Sequence, residues 1–339
     1  RRRRNRLGFR RVLARYLPEA LPQPPLERYA GTARVRLKRV AFNQPASRGF
    51  STAAFAVLGI NVFVVVWGAL VRASGSGAGC GDHWPLCNGV VIPQAPAIQT
   101  IIEFTHRITS GLALIAAVAL CVWCYRIFPR KSQVRLAATW SVAFLFAEAL
   151  LGAGLVILKY VGETASAGRA IYLSAHLTNT LLLLGALSTT AWLARKPGLP
   201  VSWKRTPLRL RIAIFGMVLV SVTGAIAALG DTLFPAQSLK SGLKQDFSAA
   251  AHLLLRLRVF HPVLAIAVGI FAGVAAFRIL KRQRITRNAR NFGVALLLLV
   301  ALQLWAGAAN LAMLAPVWMQ LVQLLRADLL WIALLLFSL

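Results

Sequence analysis

Acidic side chains are scarce in this chain. Its 339 residues include nine Asp and Glu against 39 Lys and Arg. A di-iron bundle, which needs several Glu and paired Glu-x-x-His motifs, has too little to work with. Cysteine is sparse as well, with four in all. Cys80 and Cys87 are spaced C-x6-C, which is neither a zinc-site nor a haem-attachment spacing. Cys121 and Cys124 form a C-x-x-C only by letter, because Val122, Trp123 and Tyr125 around them read as bilayer-facing. The short segments of alternating hydrophobicity that a membrane β-barrel requires are missing. No cleavable secretory signal is evident, since the first apolar run is long enough to span.

What is present is apolar. Hydrophobic residues make up 58% of the chain and the mean hydropathy is +0.66, beyond what a soluble domain of this length carries. Eight stretches suffice to cross a bilayer, which takes roughly 20 apolar residues. They run Phe50–Arg72, Ile101–Phe128, Arg135–Leu158, Ala170–Ala194, Arg209–Gly230, Leu253–Leu280, Phe292–Met313 and Pro316–Leu339. Hydrocarbon offers no water to satisfy backbone groups, so these are expected to be helices and the protein an all-α membrane protein.

The net charge of +30 raises the question of nucleic acid, but its distribution excludes that partner. Basic residues cluster in the N-terminal tail, Arg126–Arg135, Arg195–Arg211 and Arg278–Arg290, while the alternate loops carry few. This pattern predicts a multi-pass protein of the cell membrane with both termini cytoplasmic. The tail, residues 1–49, is Arg-rich and admits two readings. One is a cytosolic juxtamembrane segment drawn to anionic lipid. The other is a transit peptide, which would put the protein in the mitochondrial inner membrane.

The chain repeats itself. Gly68 matches Gly224 at an offset of 156, and His106 matches His261 and Gly152 matches Gly307 at 155. The partner of His176 is Gln323, at 147, the difference being a shorter final loop. Eight helices thus read as two repeated four-helix bundles of the same orientation, residues 50–196 and 197–339. A parallel repeat of this kind differs from the inverted repeats of many transporters, and no broken helix is expected. Gly152, Gly154 and Gly307 read as plain close-packing positions.

His106 and His176 each lie about two turns into a helix that starts outside. His261 and Gln323 occupy the same level in the second half. Polar groups at such depth are costly and usually functional. Zinc would want more ligands, whereas two axial imidazoles suit haem iron, the porphyrin supplying the other bonds. Glu103 shares a helix face with His106 and has no acidic counterpart, its match being Arg258. It reads as a catalytic group or as half of a salt bridge to Arg107 or Arg72. Arg107, Arg256 and Arg258 are candidates to hold haem propionates, the alternative being interfacial snorkelling. Glu148, matched by Gln303, reads as a proton relay or as a side chain hydrogen-bonded between helices. Cys80 and Cys87, in a loop placed outside, read as a disulfide or as a redox-active, haem-handling thiol pair.

Several runs resemble the haem A synthase family. They are Gly75–Gly89 with both cysteines and Trp84-Pro85, then Glu103-Phe-Thr-His106-Arg107, Arg256-Leu-Arg258-Val-Phe-His261-Pro262 and Ala327-Asp328-Leu-Leu-Trp331. The resemblance covers roughly Ser51 to Leu339. It implies an enzyme that oxidises a methyl group of haem O to a formyl group through hydroxylated intermediates. By that likeness His106 and His176 hold the substrate haem O, with Glu103 catalytic and the cysteine pair beside the site. The second half holds a haem b cofactor through His261. Gln323 departs from the family pattern, which expects a histidine, and an amide is a poorer iron ligand. The implied partners are the lipid bilayer, a haem O-making synthase and an electron acceptor. Two rival readings are a non-enzymatic diheme electron carrier and a haem transporter or chaperone.

Overall fold

The computed structural model describes residues 27–196, 201–248, 251–282 and 285–339, with side chains from residue 48 onward. Of the basic tail 1–49, whose role was expected to be lipid contact or targeting, residues 1–26 lie outside these, and residues 27–47 are described by backbone alone. The chain forms two compact units, Arg1–Ala46 and Ser47–Leu339. The second carries the features described below.

Ten α-helices are present among the described residues. They are α1 (Glu27–Ala73), α2 (Ile98–Ile127), α3 (Gln133–Ile157), α4 (Ala167–Arg195), α5 (Leu208–Leu233), α6 (Leu239–Asp246), α7 (Leu253–Arg258), α8 (Phe260–Leu280), α9 (Arg287–Ala312) and α10 (Val317–Ser338). Eight segments are long and apolar enough to cross a membrane: Arg48–Ala73, α2, α3, α4, α5, Leu253–Leu280, α9 and α10. No strand occurs among the described residues beyond a single bridge between Cys87 and Val90. The all-α membrane architecture of eight spanning helices is therefore as expected.

The helix ends differ from the apolar runs for a local reason. Ser132 accepts a hydrogen bond from Arg135 N, Ser166 from Arg169 N, and Thr286 from Ala289 N. Each N-cap satisfies an orphan donor and starts its helix before the hydrophobic run begins, at a gain of about 1 kcal/mol. Two departures are larger. The short helix α6 was not expected; Ser238 and Ser241 form its capping box. The sixth span, expected to be unbroken, is interrupted at Val259. Pro262 explains this, because it has no N–H to offer the carbonyl of Arg258 and its ring crowds that carbonyl.

The main core lies toward one end of every span. It contains Phe50–Leu58 from the start of the first span, Ala117–Phe128 from the end of α2, and Leu181–Ala194 from the end of α4. Leu210–Met217 at the start of α5 and Leu330–Phe337 at the end of α10 continue it. Since the helices alternate in direction, all these segments sit on the same side. The core runs across both halves: Trp331 Nε1 of α10 donates to the carbonyl of Leu181 in α4 at 2.7 Å. The other end is packed differently. In α4 no residue from Ile171 to Asn179 is fully buried, and in α8 none from Phe260 to Phe271. His106, His176, His261 and Gln323 all lie at this end.

Candidate functional site

The inward face of α2 follows a helical period through Thr100, Glu103, His106, Ser110, Ala113, Ala117, Leu120 and Cys124. All are buried except His106 and Ser110, which stay partly accessible. Outward, Ile101, Ile108, Leu112, Ile115, Val118 and Val122 form an exposed apolar stripe suited to lipid. The helix thus points His106 inward, at a level where that face is only partly buried.

Each candidate ligand is seated against a glycine of a neighbouring helix. A Cβ added at Gly68 would lie 2.9 Å from His106 Cε1 and 3.2 Å from its Nε2. At Gly224 it would lie 3.0 Å from His261 Cε1. At Gly152 it would come 4.0 Å from His176 Nε2, and at Gly307 3.4 Å from Gln323 Nε2. The four glycine–ligand pairs are those that the internal offsets match. The first two seats admit no side chain beside an unmoved ring. Gly152 and Gly307, expected only to pack helices, face the ligand side chains.

The ligands lie at similar depth. His106 is eight residues into α2, His176 nine into α4, His261 eight beyond Leu253, and Gln323 six into α10. This places them roughly 9–14 Å along their helices. His106 and His176 lie deeper than the apolar runs implied, because α2 and α4 begin earlier.

The imidazoles have different partners. His261 Nδ1 lies 3.2 Å from Thr223 Oγ1, and that hydroxyl donates to the Val220 carbonyl at 3.0 Å. The hydroxyl therefore accepts from Nδ1–H, which leaves Nε2 with its lone pair. His176 Nδ1 lies 3.0 Å from Glu148 Oε1, with the oxygen off the line of the ring N–H. His106 Nδ1 is buried without a partner.

Glu103 is buried and fully paired. Arg107 donates to Oε1 through Nη2 at 2.5 Å and Nε at 3.2 Å, and Cys80 N donates to Oε2 at 2.8 Å. Of the two salt bridges expected for Glu103, the one to Arg107 forms. Arg72 instead donates to the Ala228 carbonyl, Thr232 Oγ1 and Gln320 Oε1, tying α1 to α5 and α10.

Arg107 also donates to the carbonyls of His83 (2.7 Å) and Leu86 (2.6 Å). These bonds clamp the loop 74–97 onto α2. That loop holds a Cys80–Cys87 disulfide. A Cβ at Gly79 would meet the backbone of Gln99 and Thr100 at 2.6–2.7 Å, so only glycine permits this approach. At the loop's edge Lys159 pairs with Asp82 at 2.7 Å, and that hydrogen bond raises the ammonium pKa above its ordinary value.

Arg258 donates to Asp246 at 2.6 Å and Asp231 at 3.1 Å, and Arg256 shares the last turn of α7 with it. Two of the arginines expected at propionates, Arg107 and Arg258, thus have protein carboxylates as their first partners. Sequence reasoning missed Thr223, Asn179 and Thr180 as contacts of this region. The glycines were legible as repeat markers but not as ligand seats.

These features define a polytopic α-helical membrane protein that aims imidazoles inward from separate spans toward one end of the molecule. The chain belongs to the COX15-CtaA family, described as cytochrome oxidase assembly protein, which it matches over residues 51–335. It is 41% identical over 298 residues to proteins of two Thermus thermophilus strains named protoheme IX farnesyltransferase. That match covers 85% of this chain and 48% of theirs, so the chain spans about half the length of those relatives. Over 96 residues, 28% of the chain, it is 46% identical to a heme A synthase of Halalkalibacterium halodurans, covering 32% of that protein. It is 43% identical over 96 residues, again 28% of the chain, to one of Bacillus cereus, covering 31% of it. Membership agrees with the expected resemblance to haem A synthases.

Proposed function

We propose that the protein is a haem A synthase-type oxidoreductase of the cell membrane, converting a methyl group of haem O to a formyl group. The observation that carries this reading is the seating of His106 and His176 against Gly68 and Gly152, at similar depth in their helices. The donor set fits a haem: inward faces partly open at the ligand level, an orphaned buried His106 Nδ1, and glycines where a Cβ would crowd the ring. The substrate haem O lies between these two imidazoles. Residues 50–196 form the substrate half and residues 197–339 the cofactor half, with both termini cytoplasmic.

Glu103 stands one helical turn from His106, toward the disulfide loop. It is the group placed to take a proton at the substrate's outer edge. Arg107 and the Cys80 amide fix both of its oxygens, so it is aimed before substrate arrives. In the second half His261 would hold a haem b, and that group when bound would supply one-electron transfer toward an external acceptor. Gln323 occupies the facing seat with an amide.

A haem O-making partner supplies the substrate. The name of the Thermus relatives, protoheme IX farnesyltransferase, describes attachment of a farnesyl group to protohaem, and we read that as the partner's reaction rather than this chain's. Pigment extraction from the purified protein, with a visible spectrum, tests the reading. Haem b together with haem O or haem A is expected. A colourless protein, or one that carries haem b alone and never turns over haem O, would sink it.

A further inference from the structure

Glu148 has no part in the activity described above, yet it is held more firmly than packing requires. It projects from α3 with Oε1 3.0 Å from His176 Nδ1. Asn179 Nδ2 donates to Oε2 at 2.5 Å and to the Phe144 carbonyl at 2.8 Å. Thr180 Oγ1 donates to Oε1 and, at 3.0 Å, to the carbonyl of His176 itself. Both oxygens of the carboxylate are therefore fixed by the helix that carries His176. A carboxylate only accepts, so a small turn of the ring onto the Oε1 line would hold the imidazole's proton on Nδ1 and keep the Nε2 lone pair. That second nitrogen is the one nearest the Gly152 seat.

The other half of the chain provides an internal comparison. At the same offsets Glu148 becomes Gln303 (148 + 155), His176 becomes Gln323 (176 + 147), Asn179 becomes Arg326 (179 + 147) and Thr180 becomes Ala327 (180 + 147). Where the imidazole is absent, the carboxylate and both groups that fasten it are absent too. Gln303 Nε2 donates to the Gln323 backbone carbonyl at 3.1 Å, and Arg326 turns to the Leu302 carbonyl and the Trp305 ring. The candidate ligand that remains in that half, His261, is backed by a neutral hydroxyl, Thr223. Four replacements in one cluster point to a unit whose purpose is the histidine.

We propose that Glu148 is a positioning residue for His176, orienting its ring and increasing its donor strength toward the iron of the first-half haem. This rests on the reading that His106 and His176 hold that haem. A carboxylate behind a ligating imidazole fixes its tautomer and raises its basicity, and losing such a partner typically costs roughly 10–100-fold in metal affinity. A more basic axial imidazole favours ferric over ferrous iron. The two haem sites of one chain are thereby set apart, the carboxylate-backed one being the harder to reduce.

The test is a redox titration of the purified, haem-loaded protein, with the low-spin electron paramagnetic resonance signal of the first-half haem and the separate, high-spin signal of the second-half haem each followed. In Glu148→Gln the first-half haem should become easier to reduce, by about tenfold in its ferric-to-ferrous ratio at fixed poise, which is about 59 mV for one electron. The second-half haem should not move, and Glu148→Asp should restore part of the shift. An unchanged potential and signal in Glu148→Gln overturns the proposal. Should that variant not accumulate, Asn179→Ala and Thr180→Val carry the test, because they leave the acid in place but unfastened. A shift in the same direction supports the proposal and none overturns it. His176→Ala separates the two failures. If that variant keeps the first-half signal, the haem-site reading itself falls.

Discussion

Gly68 backs directly onto His106: a methyl group there would come 2.9 Å from Cε1 of the imidazole. The ring is the end of a side chain and can turn away, so the fold should tolerate the change at a cost of roughly 1–3 kcal/mol. What should not survive is the aim of the ring. Gly68→Ala is expected to accumulate as a folded membrane protein with the first-half haem lost or no longer low-spin. Gly59 and Gly111 have nothing within 4 Å of an added Cβ, so alanine at either should leave the spectrum as it was. Equal spectra for Gly68→Ala and Gly59→Ala would remove the glycine-seat argument.

Glu103→Gln should keep haem and lose turnover. The change also has a structural cost, because an amide offers one acceptor and one donor where Arg107 and Cys80 N both require acceptors. One of these donors is left facing an N–H, at about 1–3 kcal/mol. Arg107→Lys keeps a cation beside the acid but gives up the fork that also grips His83 and Leu86. The pair of variants divides the roles. If Glu103 is the acting group, Glu103→Gln is inactive while Arg107→Lys retains partial turnover with a looser loop. Full turnover in Glu103→Gln would remove Glu103 as the acting group, whereas haem retained with no turnover in the unaltered protein would favour the non-enzymatic diheme carrier.

The disulfide loop is docked by more than its bridge. With Cys80 and Cys87 both changed to Ser, the bonds from Cys80 N to Glu103 and from Thr100 Oγ1 to the Gly79 carbonyl would remain available. Haem content should therefore hold. The tip, with Val91 and Ile92 largely exposed, should become open to protease. Lys159 and Asp82 will not compensate, since so exposed a pair contributes little. Mass spectrometry of limited proteolysis beside a pigment assay checks both halves of this statement. Loss of haem on removing the bridge would make the disulfide part of the site itself.

The spans were legible in the sequence because hydropathy integrates over some twenty residues and forgives local error. Helix ends were not, since Ser132, Ser166 and Thr286 set them by single hydrogen bonds. The break at Val259 was written in Pro262 but lay within an apolar run that reads as continuous. The levels of His106, His176, His261 and Gln323 followed from counting along helices. Their surroundings did not: Thr223 meets His261 across 38 residues of sequence, and Asn179 meets Glu148 across 31. Arg258 looked available to an anionic ligand because its acids, Asp231 and Asp246, are distant in sequence or hidden in an unexpected helix. Periodicity places a residue on a face but does not say which neighbour that face meets.

Gln323 gives the sharpest test of the second half. Its side-chain nitrogen lies 3.4 Å from where a Cβ at Gly307 would stand, the same seat that His176 takes against Gly152. An imidazole at 323 should fit this space. Gln323→His is therefore expected to convert the second-half haem to six-coordinate, low-spin form and to slow its loss on dilution into detergent. Gln303 would then stand where Glu148 stands, but it gives its amide N–H to the Gln323 carbonyl and brings no negative charge to the ring. Adding Gln303→Glu to Gln323→His should lower the potential of that haem further, reproducing in one half what the other already has. Haem retention and spectrum unchanged by Gln323→His would mean that position 323 does not face the second-half iron, and the correspondence between the halves would stop short of the ligands.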